Sequence, residues 1–290
     1  MKKKILIIVI SIISSLLYTS CITTRNQVEF IPRETALPGW TLVNQNFLTN
    51  TRDKEFPEFL KKSKNIVSVS ISEYVFFSDA DRRVDLIVVA YNDFLSALNS
   101  YSEILLSTEK EIIFLEEFSA LSDGKYVSVH ENLVIIAEPT IMDHSVIRNF
   151  QSAVIEMLPE EQRRVTIPVE ARMFAGNRPN LLYLQRGLPH LLEINNVFIR
   201  HRENYRLLYR QFSSEEALLR AFATLSGVRA DYTLGSSHDL TYLFKEDDDG
   251  KVVLIFYYKE WLLSVIDVDN MNNAISIATE IIIEAKNQGL

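Results

Sequence analysis

Cys21 is the only cysteine in the 290-residue chain, and its position gives it a chemistry. Lys2, Lys3 and Lys4 precede an apolar run, Ile5 to Leu17, that contains three serines; Tyr18-Thr19-Ser20 then lead to Cys21. A charged start, a short apolar core and a small residue before the cut form the pattern of a cleaved export leader. Thirteen helical residues reach only ~20 Å, short of the ~30 Å hydrocarbon core, which argues against a permanent span. A thiol left at the new N-terminus is the nucleophile that lipoprotein processing alkylates. Thr19 and Ser20 fit the two positions before such a cysteine, while Leu17 stands one place further back than usual. A lone cysteine cannot form an internal disulfide, so an exported chain has little other use for it. The sequence therefore predicts lipidation at Cys21 and attachment to a membrane through that lipid; several acyl chains hold where one does not.

Other reactive side chains form no recognisable constellation. No two of His130, His144, His190, His201 and His238 stand at the i, i+4 spacing of a helical zinc site. Glu246-Asp247-Asp248-Asp249-Gly250 has Lys245 before it and Phe256 at the late ligand position, so it fits a hairpin turn better than a calcium loop. Ser236-Ser237-His238-Asp239 puts triad residue types side by side, whereas working triads converge from separate parts of a fold. No Gly-x-Ser-x-Gly elbow or Gly-rich phosphate loop is present. No cofactor, metal or catalytic residue is expected from these motifs. Carboxylate pairs stay open, because 38 acidic residues offer many of them.

Charge narrows the partners. The chain has 30 basic and 38 acidic residues; removing residues 1–20 takes three lysines and no acid, leaving 27 basic residues and a formal charge of −11. Such a surface repels nucleic acid. The pairs Arg82-Arg83 and Arg163-Arg164 read as solvated turn or linker charges. With 47% hydrophobic residues the chain can build one large core or two small ones.

The elements that must position any site recur at a spacing of about 122 residues. Tyr74 to Phe77 and Val84 to Tyr91 read as strands around Asp79-Ala80-Asp81, followed by an Asn92-capped helix with Phe94, Leu95, Leu98, Tyr101 and Leu105 on one stripe. Val197 to Ile199 and Tyr205 to Phe212 repeat this around His201 to Asn204, with Ser213 or Ser214 capping a helix that carries Leu218 and Phe222. Asp123-Gly124-Lys125 opens a hairpin that turns at Glu131-Asn132; Asp249-Gly250-Lys251 opens another that turns at Lys259-Glu260, and an amphipathic helix follows each. Phe256, Tyr257, Tyr258 and Trp261 straddle the last hairpin and suit core or cross-strand packing. Glu109 to Leu121 has helical spacing through Ile112, Ile113, Glu116, Glu117 and Ala120. The predicted fold is α+β: two tandem β-β-α-β-β-α units with antiparallel sheets and helices on one face. Residues 1–20 are the leader, 21–36 a tether, 37–158 the first repeat and 169–290 the second, with a boundary between Pro159 and Pro168.

At Leu37-Pro38-Gly39-Trp40, at Asn177-Arg178-Pro179-Asn180-Leu181-Leu182-Tyr183 and at Ser214-Glu215-Glu216-Ala217 the chain resembles the domain of unknown function DUF6599. That resemblance implies two related β-rich halves behind a leader, and no activity. Phe56 to Lys64 stands where that family has a Tyr-Ile-Asn-Gly-Gly-like run, so nothing tied to that run carries over. The expectation is a membrane-anchored lipoprotein of a bacterial envelope, with a binding or structural role toward an envelope protein or a small ligand. The alternative is an envelope hydrolase built from dispersed carboxylates and histidines.

Overall fold

The computed structural model describes residues 37–49, 56–61, 63–107, 111–116, 118–141, 143–163, 165–172, 174, 180–186, 195–228, 232–237, 240–247, 249–287 and 289. The leader, Cys21 and the tether lie outside them, as do His190, His238 and Asp239. Among the described residues no helix is long and apolar enough to cross a membrane.

Three strands, β1 (Trp40–Leu48), β2 (Ile66–Phe76) and β3 (Asp79–Tyr91), lead into helix α1 (Phe94–Leu106). Four more follow, β4 (Ile113–Glu116), β5 (Ser119–Ser122), β6 (Lys125–His130) and β7 (Leu133–Pro139), and then α2 (His144–Met157). Two short helices, α3 (Glu160–Arg163) and α4 (Val169–Arg172), come next. The order then repeats: β8 (Leu181–Leu184), β9 (Val197–His201), β10 (Arg206–Gln211), α5 (Glu215–Val228), β11 (Thr233–Ser237), β12 (Leu240–Glu246), β13 (Val252–Tyr258), β14 (Trp261–Val268) and α6 (Met271–Asn287). The strands form two seven-stranded sheets, β1-β2-β3-β7-β6-β5-β4 and β8-β9-β10-β14-β13-β12-β11. The second order is the first shifted by seven strands. The fold is α+β with antiparallel sheets, and each half holds more than the β-β-α-β-β-α expected. A strand is added in front (β1, β8) and a hairpin after the central helix (β4–β5, β11–β12).

Helical spacing over 109–121 misled. Ile113 pairs with Leu121 and Phe114 with Ala120, so this stretch is a hairpin, closed by Phe118 in the left-handed region at φ 57°. Pairing of β5 with β6 along Ser119–Ser122 overrides the local periodicity. Phe118 is buried; its carbonyl accepts from Val129 N–H at 2.9 Å, and its ring meets Phe94 edge-on at 5.8 Å.

By contact density the chain divides into two compact units. One holds the described residues to Asn92 with Ile135–Pro159, and the other Asp93–Val134 with Glu160–Leu290.

In the first unit the chain enters through a turn. Trp40 N–H bonds Leu37 C=O at 3.1 Å, with Pro38 second and Gly39 third at φ 84°. This is the residue logic of a type II turn. A side chain at Gly39 would also press on the Phe76 ring, 3.1 Å from its Cβ. The turn delivers Trp40 into an aromatic cluster, where it meets Phe76 at 5.1 Å and Phe150 at 4.9 Å; Tyr74 meets Phe150 at 5.4 Å. Helix α2 presents Phe150 with Ile147 and Val154 buried alongside. Asp143 caps that helix, accepting from Ser145 and Val146 N–H. The hairpin of β2 and β3 turns at Phe77-Ser78, two residues before the expected place. It is stapled by Thr140, whose N–H donates to Arg83 C=O and whose Oγ1 accepts from Arg83 N–H, both at 2.9 Å.

In the second unit, α1 is buried around most of its circumference, from Ser96 to Ser102 and at Leu105, where a single apolar stripe was expected. The reason is that it packs on both β6 and β8. Its cap is Asp93, whose Oδ1 accepts Ser96 N–H at 2.8 Å; the expected cap, Asn92, donates its N–H to Asn65 C=O instead. β8 is an edge strand, and α1 supplies what an edge lacks. Ser102 Oγ accepts Tyr183 N–H at 2.8 Å while donating to Leu98 C=O at 2.7 Å; Asn99 Oδ1 accepts Gln185 N–H at 2.8 Å. Two outward N–H groups of the edge are thus satisfied by one helix face. Replacing both residues with alanine is expected to cost about 1–3 kcal/mol per orphaned amide. Urea titration checks the stability, and sedimentation checks for pairing through the opened edge. Unchanged exchange protection of the Tyr183 and Gln185 amides in that variant would refute the cover.

The turns Glu131-Asn132 and Lys259-Glu260 stand where the sequence placed them, each with its first residue left-handed (φ 47° and 50°). Asp123 and Gly124 both have positive φ, the type I′ turn between β5 and β6. Phe256 and Trp261 are buried, Tyr257 packs on Phe222 of α5 at 5.0 Å, and Ser214 Oγ accepts Ala217 N–H at the start of that helix.

Candidate functional site

The second unit contains an open cleft of about 590 Å³. Its wall is the loop between β9 and β10, from His201 through Arg202, Glu203, Asn204 and Tyr205 to Arg206. Lys251, at the start of β13, and Asp267 and Asp269, at the end of β14, close a second side; Leu106, Glu111 and Ile112 close the third.

Backbone geometry aims these groups. Leu254 pairs with Val265 but Val252 with Val268, so β14 carries an extra residue at a bulge. Asp267 sits in it at φ 66°, a left-handed conformation that an aspartate tolerates better than a branched residue. The bulge turns Asp267 toward Arg206 on the neighbouring strand. There it takes both Nε and Nη2 of the guanidinium, the latter at 3.0 Å. This two-pronged contact fixes the guanidinium plane. Lys251 is held in turn by Asp269. Opposite the pair, Arg202 N–H closes the loop on Tyr205 C=O at 2.9 Å.

Two nitrogen atoms of these residues, His201 Nε2 and Arg202 Nε, are buried with no hydrogen-bond partner among the described residues. Arg202 Nη2 reaches only Phe174 C=O, at 3.5 Å. The His201 ring lies 5.1 Å from Phe114. Burial pushes its basicity down to about 4, the Arg206 charge adds to that, and Asp267 opposes it. His201 is therefore a neutral imidazole at ordinary pH, able to give or take one hydrogen bond. Burial also raises the Tyr205 hydroxyl.

Behind the loop, Arg200 is fully buried. Its guanidinium bonds the Tyr209 hydroxyl, which donates to Ala171 C=O at 2.8 Å. Phe174, Tyr209 and Trp261 pack around this relay at 5.1 to 6.1 Å. Burial drives the Tyr209 hydroxyl up to about 12. The relay anchors the strand from which the cleft loop departs.

The first unit carries a second polar group. Glu73 stands directly opposite Asp85 in the β2–β3 ladder, and Arg83 Nη1 donates to Glu73 Oε1 at 3.0 Å. Burial first, then Glu73 and Glu138, hold the Asp85 carboxyl above its usual range, while Arg83 lowers it. Arg82 is tied to Asp79 at 3.1 Å and to Asp143 at 3.6 Å.

Of the described histidines, only His201 lines the cleft. His130 ends β6, half-buried and held down to about 4 by burial, and His144 begins α2. Among the described residues no group of three or more His, Cys, Asp or Glu could hold a metal ion. Asp247 bonds the N–H groups of Asp249 and Lys251, so its carboxylate shapes the loop between β12 and β13. Arg202, Arg206 and Asp267 were not legible as site residues. Their one sequence signal was a polar loop, His201 to Asn204, with charges clustered on the strand end that follows.

No protein-family model matches the chain, and no curated protein matches it. The solved "Structure of crystal form IV of TP0453" is similar to 73% of this chain and 78% of its own, at 12% identity and a TM-score of 0.20. A likeness that slight carries no argument about fold or function.

Proposed function

We propose that the chain is a lipid-anchored protein of a bacterial envelope, with two halves descended from one module, whose second unit binds a small polar ligand in the cleft. The observation that carries the binding role is an open cleft of about 590 Å³ lined by charged and polar side chains, among them His201, Arg202, Arg206, Lys251, Asp267 and Asp269. Ligand pockets run from about 300 to 1,000 Å³, and this cleft falls within that range. Among the described residues no serine, threonine or cysteine lines the cleft. Asp267 and Asp269 are spent on Arg206 and Lys251.

The anchoring half of the proposal rests on Lys2 to Cys21. Labelled fatty acid is expected to enter the full chain and not the Cys21→Ala variant, and that variant should leave the membrane fraction. Equal labelling of both removes the anchor. For the cleft, a pool of small envelope metabolites should raise the melting temperature of the detergent-solubilised chain and leave Arg202→Ala unmoved. An equal rise in both proteins would place binding elsewhere.

A further inference from the structure

We infer that the tip of the β2–β3 hairpin, led by Phe77, seats in the interface of a neutral phospholipid bilayer. The inference rests on the lipid anchor proposed above and adds a second, non-covalent contact to it.

Phe77 is 85% exposed, more than any other large apolar side chain among the described residues. Neither the turn nor the core asks for a phenylalanine there. Tight hairpin turns favour Gly, Asn and Asp. The aromatic cluster of the unit is built from Trp40, Tyr74, Phe76 and Phe150 without it. Ile141, 47% exposed, stands at the same end of the hairpin: it follows Thr140, whose Oγ1 donates to Asp81 C=O at 2.9 Å. An apolar ring held out in water gains by leaving it wherever an apolar medium is in reach.

Where the chain enters the fold says what covers this end. Phe77 N–H donates to Gly39 C=O at 2.8 Å, so the entry turn and the hairpin tip are bonded side by side. Leu37, which opens that turn, follows Cys21 by sixteen residues, a stretch that reaches no more than about 55 Å. A lipid on Cys21 therefore holds the unit at the point where Phe77 stands. Tethering raises the local concentration of bilayer, so a side chain that binds lipid weakly by itself stays engaged.

Charge chooses the lipid. Arg82 is spent on Asp79 and Asp143, and Arg83 on Glu73, so this end offers anionic headgroups no unmatched guanidinium. Asp81 adds an exposed carboxylate. Like charges repel, and the contact that remains is apolar, which suits neutral headgroups.

The test reconstitutes the full chain from detergent into phosphatidylcholine vesicles and reads tryptophan emission. Trp40 and Trp261 are buried and set the background. Phe77→Trp puts an exposed reporter in place of an exposed ring. Lys64→Trp puts one beyond the other end of β2, about 35 Å along the strand. Brominated acyl chains should quench most of the emission added by Phe77→Trp and leave that added by Lys64→Trp intact. Replacing part of the neutral lipid with phosphatidylglycerol should lower the quenching at Phe77→Trp. Equal quenching of the two reporters, or none in either, overturns the contact. Stronger quenching on phosphatidylglycerol assigns the approach to the arginines and overturns it too. A blue shift of Phe77→Trp that grows with protein concentration in detergent, and ignores bromine in vesicles, makes a second copy the occupant. Fatty-acid labelling separates this contact from the anchor. A labelled chain whose Phe77→Trp emission escapes bromine keeps the anchor and loses the contact. An unlabelled chain whose Phe77→Trp emission is quenched by added vesicles loses the anchor and keeps the contact.

Discussion

Replacing Phe150 with alanine is expected to destabilise the first unit by about 3–5 kcal/mol, the range for an aromatic truncated in a packed core. Phe150 is buried between two partners, Trp40 at 4.9 Å and Tyr74 at 5.4 Å, both edge-on. Its loss removes transfer energy, opens a cavity and breaks two aromatic contacts that add about 0.5–1.5 kcal/mol each beyond burial. Trp40 also leans on Phe76, so the cavity can close only by disturbing the turn at Gly39 that sets the start of β1. Hydrogen exchange read peptide by peptide checks the result: protection should fall across β1, β2, β3 and α2. A loss under about 1 kcal/mol by urea titration would mean that the cluster does not organise the unit.

Acid should unfold the second unit before carboxylates begin to titrate in bulk. His201 and His130 both fall to about 4 in the fold against an ordinary 6.5, each because burial disfavours the charged ring. A histidine whose folded value is depressed binds protons more readily when unfolded. Its neutral form's contribution to stability is whole above about pH 6.5 and is lost as the pH falls from there toward 4. The linkage gives a loss of about 2 kcal/mol per histidine between pH 7 and pH 5, roughly additive if the two sites are independent. Urea midpoints followed by circular dichroism at both pH values should drop for the natural chain. They should drop by about half as much for His130→Gln or His201→Gln, and hardly at all for the double variant. A double variant that loses as much as the natural chain would assign the acid sensitivity elsewhere.

The elements that the sequence made legible are those where local chemistry and tertiary placement agree. Glu131-Asn132 and Lys259-Glu260 lie between runs of buried strand residues, and nothing distant needs to be known to place a turn there. Helix α2 follows its apolar spacing because one face alone is buried. The failures share the opposite cause. β1 reads Trp-Thr-Leu-Val-Asn-Gln-Asn-Phe-Leu, with Val43 and Phe47 exposed; it is an edge strand whose pairing with β2 sets its conformation. Glu109 to Leu121 has helical spacing, yet Ile113 to Ser122 is made a hairpin that pairs with β6. α1 carries Asn99 and Ser102 among its buried positions, and those polar residues accept from Gln185 and Tyr183 far along the chain. The cleft was hidden for the same reason. Asp267 meets Arg206 from 61 residues away, through a bulge that no residue type announces.

The contact of α1 with β8 also orders events in time. Asn99 and Ser102 precede the amides they receive by 86 and 81 residues. A chain that lengthens from its N-terminus therefore completes the cover before the edge exists. When Tyr183 and Gln185 emerge, their N–H groups meet acceptors already in place, and an unpaired strand is exposed to neighbouring chains only briefly. Rearrangements that move α1 behind β8 would keep every residue of the protein and lose that head start. Circular permutants opened after α1 should therefore aggregate during synthesis more than they do once folded.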